Sequence, residues 1–349
     1  MPDVWNSFLS IGMEALFTVD KKSFRNNCVN SEGKCMNILV ALDDGYVKPL
    51  QIMLASLRYH VREPLDVYLM YSSIRKENLK LLDGYISELG ESRLFPVFVE
   101  KNIFEGAPVL DGTTKETYYR ILCSELLPIA LDRILYLDPD ILIRGSIASF
   151  YHMDFQNKTV IGVVERPNPN VPGAVEYHQK RMEQLGLKAD DIYVNGGVLL
   201  MNLDKMRKRF VLSDFMELLA DKKAVLEYAD QDMLNLYFQG DVIGLKDEDY
   251  NYPTTCVTAR EFIQWITGGW RKGTAVIVHF KGLSKPWMSN YVGKYYFEYN
   301  KYHKRIQTRG EQLCFGWRHF WGYIKKMTIV IVEYILGRYQ LSVLEKRGE

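Results

Sequence analysis

From residue 36 the chain passes from an unbroken apolar run to a helical repeat and back again. The run NILVAL from Asn37 predicts a buried strand, Leu50, Met53, Leu54 and Leu57 recur at helical spacing, and LDVYLMYS (65–72) predicts a second strand. This is a βαβ unit. A charged helix follows from Arg75 to Leu89, with Leu79, Leu82 and Ile86 on one face, and then the strand-like RLFPVFVE (93–100). Alternation of this kind predicts an α/β domain with a mostly parallel central sheet and helices on both faces. Ligands should gather beyond the carboxyl ends of its strands. Further on, a helix is expected over Thr117 to Leu127, stopped by Pro128, followed by RILYLDPDILIRGSI (133–147), VIGVV (160–164) and DIYVNGGVLLMNL (191–203). An amphipathic stretch, YADQDMLNLYF (228–238) and TAVIVHFKGLSKPW (274–287) complete the pattern. Residues 1–35 read as an N-terminal arm, and no internal repeat is present.

The 349 residues suffice for one large domain or two ordinary ones, and 47 % apolar with 25 % charged residues excludes fibrous and low-complexity classes. A net charge of +1 gives no overall case for wrapping nucleic acid. The five cysteines are odd in number and form no C-x-x-C pair, which points to a reduced intracellular setting without structural zinc. The first residues lack a basic n-region and carry Asp3 and Glu14, so no secretory signal is expected. The apolar run Met327 to Val332 is far shorter than the roughly 20 residues that cross a bilayer, so no span is expected either.

The candidate chemistry centres on Asp138-Pro139-Asp140. In extended backbone, residues two apart share a face, so both carboxylates can aim at one point. Two converging carboxylates suit Mg²⁺ or Mn²⁺, which keep open positions for phosphates. An ordinary surface turn is the alternative, but ILYLD before the motif and ILIRG after it are too apolar for one. His279 closes the strand AVIVH and is a third ligand candidate, with Lys281, Gly282 and Lys285 following as possible phosphate contacts. The other five histidines have no partner spacing.

Asp43 and Asp44 end the first strand, where a carboxylate can accept from a base or ribose and Tyr46 can stack on a base; capping by Asp44 is the alternative. Asn195, Gly196 and Gly197 mark a strand start that a ligand can approach closely. Asp230, Gln231 and Asp232 form a polar cluster or a helix cap. There is no P-loop, no G-x-G-x-x-G after the first strand, no H-E-x-x-H and no G-x-S-x-G, so a nucleotide bound here needs another phosphate binder. The metal would serve as that binder.

Taken in order, ALDDGY, TYYRIL, LYLDPDILI, NGGVLLMNL, DQDMLN and HFKGLSKPW resemble glycosyltransferase family 8 across roughly residues 36 to 290. Within the family, the resemblance is greatest to the bacterial α-galactosyl- and α-glucosyltransferases of lipopolysaccharide synthesis. It implies a GT-A fold over 36–300, a UDP-hexose donor, Mn²⁺ (or Mg²⁺) on the diphosphate, and transfer with retention of anomeric configuration. Carried onto this sequence, Asp138 and Asp140 would be the D-x-D metal ligands and His279 the third. Ala41, Asp43 and Tyr46 would hold the uridine, and Arg120 would contact donor phosphate or sugar. Asn195, Asp230 and Gln231 would line the sugar, while Gly282 and Lys285 would hold the diphosphate.

Gly45 stands where close relatives have Asn, and Pro139 replaces an aliphatic residue inside the metal motif. The aspartate that relatives carry near Glu165 and Arg166 has no assigned equivalent. Negative charge developing on the departing β-phosphate would be stabilised by the metal and Lys285. Gln231 is a poor nucleophile, which favours same-face attack over a covalent glycosyl-enzyme. The acceptor implied is a glycan or lipid-linked saccharide, with a protein or polyol acceptor as the same-class alternative. A silent sugar-nucleotide binding protein is the alternative from another class; a nucleotidyltransferase would need a G-x-G-T loop that is missing.

From Lys301 onward ten basic residues face four acidic ones, interleaved with Trp317, Phe320, Trp321, Tyr323, Ile324 and MTIVIV. This tail (301–349) suits an anionic membrane face. The expected location is cytoplasmic, peripheral on the inner face of the cell membrane. A helix packing its apolar side on the catalytic domain is the alternative.

Overall fold

The computed structural model describes residues 35–109, 114–167, 172–254, 273–288, 291 and 293–335. The expected arm lies almost wholly outside them, as do residues 336–349 of the tail. Strands among the described residues run in chain order β1 (Met36–Ala41), β2 (Leu65–Tyr71), β3 (Arg93–Phe98), β4 (Arg133–Leu137), β5 (Ile141–Ile143), β6 (Val160–Val164), β7 (Val194–Asn202), β8 (Val242–Leu245), β9 (Tyr252–Thr254) and β10 (Ile277–Phe280). Seven of them form one sheet in the order β3-β2-β1-β4-β7-β6-β8. Its pairings are parallel except for β7, which runs antiparallel to β4 and β6.

The unbroken apolar strands follow from burial on both faces. In β1, Leu39 and Ala41 pack into a core with Tyr68, Met70 and Tyr136. Met36, Ile38 and Val40 enter a second core with Leu50, Met53, Leu54 and Leu57 of the helix Val47–His60. Truncating one of these leucines to alanine costs about 2–5 kcal/mol.

A smaller sheet, β5-β10-β9, closes one end of the first. Ser56 on the first helix accepts the Ile143 N–H at 3.0 Å and ties β5 to the main layer. The register sets His279 opposite Ile141 on one side and Pro253 on the other.

Two local expectations are corrected. Residues 117–127 do not form one α-helix: a 3-10 segment, Lys115–Leu122, runs into a short α-turn, Cys123–Leu126. Tyr118, Tyr119, Ile121 and Leu122 are all buried, so the segment is packed all round rather than on one helical face. Nor is Asp138 to Asp140 extended: it is the turn between β4 and β5. The two carboxylates converge because the chain changes sheets there.

The tail contains a helix, Arg309–Ile335. Its first turns dock on the domain: Phe315 packs against the aromatic cluster that includes Tyr291, Tyr295 and Tyr299 and meets the His303 ring edge-on, and the His319 ring stacks on Tyr296 at 4.0 Å. Leu313, Trp317, Phe320, Trp321 and Ile324 remain exposed on other faces of the helix. No helix among the described residues is long and apolar enough to cross a membrane.

Candidate active site

The site lies where the two sheets meet. After Leu137 the β4–β7 pairing continues for one more bond, Asp138 N–H to Gly197 C=O at 2.9 Å, before the chain turns away. Asp140 sits just before β5, and its carbonyl accepts the Phe280 N–H at 3.0 Å, which locks β10 beside the turn. His279 Nε2 consequently stands 3.3 Å from Asp140 Oδ1 and 3.6 Å from Asp138 Oδ2. One donor atom from each of the three residues lies within 4.8 Å of the others.

Gly197 is the backbone under this group. A Cβ there would overlap His279 Cε1 and approach Asp138 Oδ2 to 2.7 Å, so the site needs glycine. Two carboxylates and an imidazole match a Mg²⁺- or Mn²⁺-type ion. Asp140 Oδ1 is buried, faces His279 Nε2 at 3.3 Å and has no well-formed hydrogen bond among the described residues, so it is an acceptor aimed at the cluster. The residues present fit a divalent cation.

Asp140 also accepts from Lys285 Nζ at 2.5 Å, and the same ammonium donates to Phe280 C=O at 2.8 Å. Burial pushes the Asp140 carboxyl up, but His279 and Lys285 together hold it well below the ordinary carboxylate range. Asp138 accepts from Tyr136 Oη at 2.6 Å.

Arg120 is buried beside them. Its guanidinium pairs with Asp230 at 2.7 Å, lies 3.7 Å from Asp138, donates to the Gly196 and Thr117 carbonyls, and covers the Tyr136 ring at 4.2 Å. Burial lifts the Asp230 carboxyl above its usual range even against Arg120. Arg120 thus spans the metal candidate and the predicted sugar lining.

That lining is one hydrogen-bonded set. Gln231 Oε1 accepts from Gly196 N–H at 2.8 Å and Asn195 Nδ2 at 2.9 Å, while its Nε2 donates to Tyr193 Oη at 3.1 Å. Asn195 Nδ2 also donates to Glu165, and Lys281 pairs with the same carboxylate at 2.8 Å. Burial raises the Glu165 carboxyl, but Lys281 outweighs it and the net shift is downward. Asp232, from the same polar trio, faces away: it accepts the Glu227 and Tyr228 N–H groups and pairs with Arg181. That closes the start of the helix Ala229–Tyr237.

At the end of β1 the capping role belongs to Asp43, whose Oδ1 accepts the Gly45 N–H at 2.8 Å. Asp44, the alternative cap, instead holds the Arg75 backbone and side chain and Asn78. Tyr46 meets the Trp287 ring edge-on at 5.6 Å. Burial, followed by the charges of Asp140, Asp138 and Asp43, raises its phenol far above the ordinary value, which places this aromatic pair in the field of the metal candidate. Ala41 is buried at the end of β1. Gly282, in the exposed loop after β10, has φ +78, a conformation open to glycine and strained for other residues.

The structure therefore brings Asp138, Asp140, His279 and Lys285 together, joins Arg120 and Asp230 to them, and sets Asn195 and Gln231 alongside. Sequence reasoning missed Tyr136, Asn251 and Trp287. Trp287 carried a signal in its Lys-Pro-Trp context. Asn251 carried none, since only the β9–β10 register brings it to His279.

The family model for Glycosyl transferase family 8 matches residues 37–291. Glycosyltransferase GlyF of Streptococcus pneumoniae is 30 % identical over 224 residues, 62 % of this chain and 48 % of that protein. The chain thus spans about half the length of that relative. The lipopolysaccharide 1,2-glucosyltransferase of Escherichia coli K12 is 25 % identical, with 76 % of each chain covered. Among solved structures, the galactosyltransferase LgtC in complex with donor and acceptor sugar analogues superimposes with TM-score 0.66 at 22 % identity, covering 78 % of this chain and 97 % of that one. The fold is GT-A.

Proposed function

The chain belongs to glycosyltransferase family 8, and on that premise we propose that it is a retaining hexosyltransferase. Its donor is a UDP-hexose, glucose or galactose, and its acceptor a glycan or lipid-linked saccharide. The observation that carries this reading is the convergence of Asp138, Asp140 and His279 at the seam of the two sheets, beside the Tyr46–Trp287 pair.

Each group has a place in such a reaction. Tyr46 and Trp287 offer aromatic surface to the base, with Asp43 and the backbone at Ala41 to take uridine polar atoms. Mn²⁺ or Mg²⁺ on the triad would neutralise the diphosphate and the charge that develops as it leaves. Lys285 and the loop at Gly282 contribute a cation and backbone N–H groups to the same phosphates. Arg120 and Asp230 border the sugar, and Asn195 holds Gln231 in one orientation. Gln231 is an amide whose oxygen is already engaged by two donors, so it fits orientation better than nucleophilic attack. Retention then follows from same-face attack, with the acceptor proton passing to the departing phosphate oxygen.

The exposed aromatics of the helix Arg309–Ile335, interleaved with Arg318 and Lys325, support seating on an anionic membrane at the cytoplasmic side. Lipid-linked acceptors reside on such a surface.

The test is UDP release from a panel of UDP-sugars, with Mn²⁺ and with EDTA, in the unmutated protein and Asp140→Asn. One hexose donor should turn over, and loss of metal or of Asp140 should lower the rate about 100-fold or more, equivalent to about 3 kcal/mol. Mn²⁺-dependent UDP binding without turnover, even when acceptor glycans are supplied, would favour a silent sugar-nucleotide binding protein.

A further inference from the structure

We propose that Asn251 is a positioning residue that sets the tautomer of His279 and so presents Nε2 to the metal. The inference rests on the metal reading of the triad.

Every hydrogen-bond direction in the set is dictated from its edges. The backbone N–H of Gly197 can only donate, and it donates to Asn195 at 2.9 Å, so that atom of Asn195 is Oδ1. On the other side Asn195 faces the Glu165 carboxylate, an acceptor, which requires Nδ2 there. The two constraints agree. Asn251 approaches Asn195 Oδ1 at 2.8 Å and must present its own Nδ2. Its remaining oxygen therefore faces His279 Nδ1 at 3.0 Å, and an amide oxygen can only accept. Nδ1 therefore carries a proton, and in the neutral ring that a metal ion binds, Nε2 carries none. The Nε2 lone pair is thereby directed at the side where Asp138 Oδ2 and Asp140 Oδ1 stand.

Asn251 is 3 % exposed and sits at the head of β9, whose parallel pairing with β10 carries it to His279. The chain Lys281–Glu165–Asn195–Asn251–His279 is continuous, so the sugar lining and the metal ligand share one polar framework. Partners of this kind typically change metal affinity about 10- to 100-fold when removed.

The experiment compares the unmutated protein with Asn251→Ala and Asn251→Asp. Asp keeps an acceptor for Nδ1–H; Ala removes it. Two signals are read: free Mn²⁺ by electron paramagnetic resonance during titration, and the His279 tautomer by long-range ¹H–¹⁵N spectra of ¹⁵N-histidine protein loaded with Mg²⁺ at alkaline pH. The His279 signals are assigned by difference against His279→Gln. The expected result is Nδ1–H in the unmutated protein and in Asn251→Asp, and Mn²⁺ affinity lowered about 10- to 100-fold in Asn251→Ala.

Nε2–H in the unmutated protein overturns the proposal without need of any variant. Equal loss of Mn²⁺ affinity in folded Ala and Asp variants overturns it as well, since a general packing role predicts that outcome. Unchanged affinity in both does the same. If the unmutated protein binds no Mn²⁺ at all, the metal reading fails and this proposal falls with it; if Mn²⁺ binds and the tautomer is Nε2–H, only the role of Asn251 is lost.

Discussion

Asp140 Oδ1 stands 3.3 Å from His279 Nε2, although Asp140 precedes one strand of the smaller sheet and His279 lies within another. The β5–β10 register produces the approach, because His279 pairs with Ile141, the neighbour of Asp140. A one-residue slip of β10 would send His279 to the opposite face. The metal candidate is therefore a property of strand register.

Gly197 should be intolerant of any side chain. In Gly197→Ala the new Cβ would overlap His279 Cε1 and crowd Asp138 Oδ2. The expected outcome is a folded protein, destabilised by about 1–3 kcal/mol, whose Mn²⁺ affinity drops more than its stability implies. Calorimetric titration with Mn²⁺, beside a thermal melt, checks this.

Arg120→Met should be severe. It removes the partner of Asp230, a buried carboxylate, and the donor to the buried Gly196 carbonyl and the partly buried Thr117 carbonyl. Breaking one half of a buried ion pair costs about 3–5 kcal/mol. Urea denaturation measures it, and Arg120→Lys should recover only part because a lysine cannot reproduce the forked contacts.

Acid should loosen the tail helix through His303. Burial, then Lys48, pushes its imidazole down to about 4, with Glu311 opposing. The unfolded imidazole titrates near 6.5, so it binds protons more readily than the folded one. Stability contributed by neutral His303 is thus complete above about 6.5 and is lost as the pH falls toward about 4. Because the ring meets Phe315 edge-on at 4.8 Å, docking of the helix Arg309–Ile335 should weaken in that window. Hydrogen exchange of the helix at about pH 7.5 and about pH 5 should show this loss of protection, and His303→Gln should abolish the difference.

Replacing Trp317, Phe320 and Trp321 together by alanine should lower binding to anionic vesicles about tenfold or more, leaving UDP release and the melting temperature unchanged. All three are more than half exposed, so no core is disturbed. Truncating the whole helix is a poorer test, since it would uncover the aromatic cluster against which Phe315 and His319 pack. Unaltered vesicle binding in the triple variant would remove the case for membrane seating.

The alternation of apolar runs and helical repeats made the parallel sheet legible, because a strand buried on both faces has to be apolar throughout. The D-x-D motif and His279 were legible for a chemical reason: carboxylates beside apolar segments are rare without a task. The alternative of a cap at the end of β1 fell on Asp44 where the structure uses Asp43, since the two are equivalent by residue type and only their surroundings, Gly45 on one side and Arg75 with Asn78 on the other, separate their roles. The tail illustrates the same limit. Its aromatics suggested a membrane or a docked helix, and the structure uses different faces for packing and exposure.

By itself the sequence determined the α/β class, the order of the elements and the residue types suited to a metal and a nucleotide, because periodicity and side-chain chemistry are local properties. Only the tertiary structure decided which of those residues meet. Strand register set His279 against Asp140, the turn between sheets aimed both carboxylates, and the β9–β10 pairing delivered Asn251 to a histidine that no spacing connects with it. Those relations depend on contacts between segments far apart in the chain, where hydrogen-bond register rather than composition selects the neighbour.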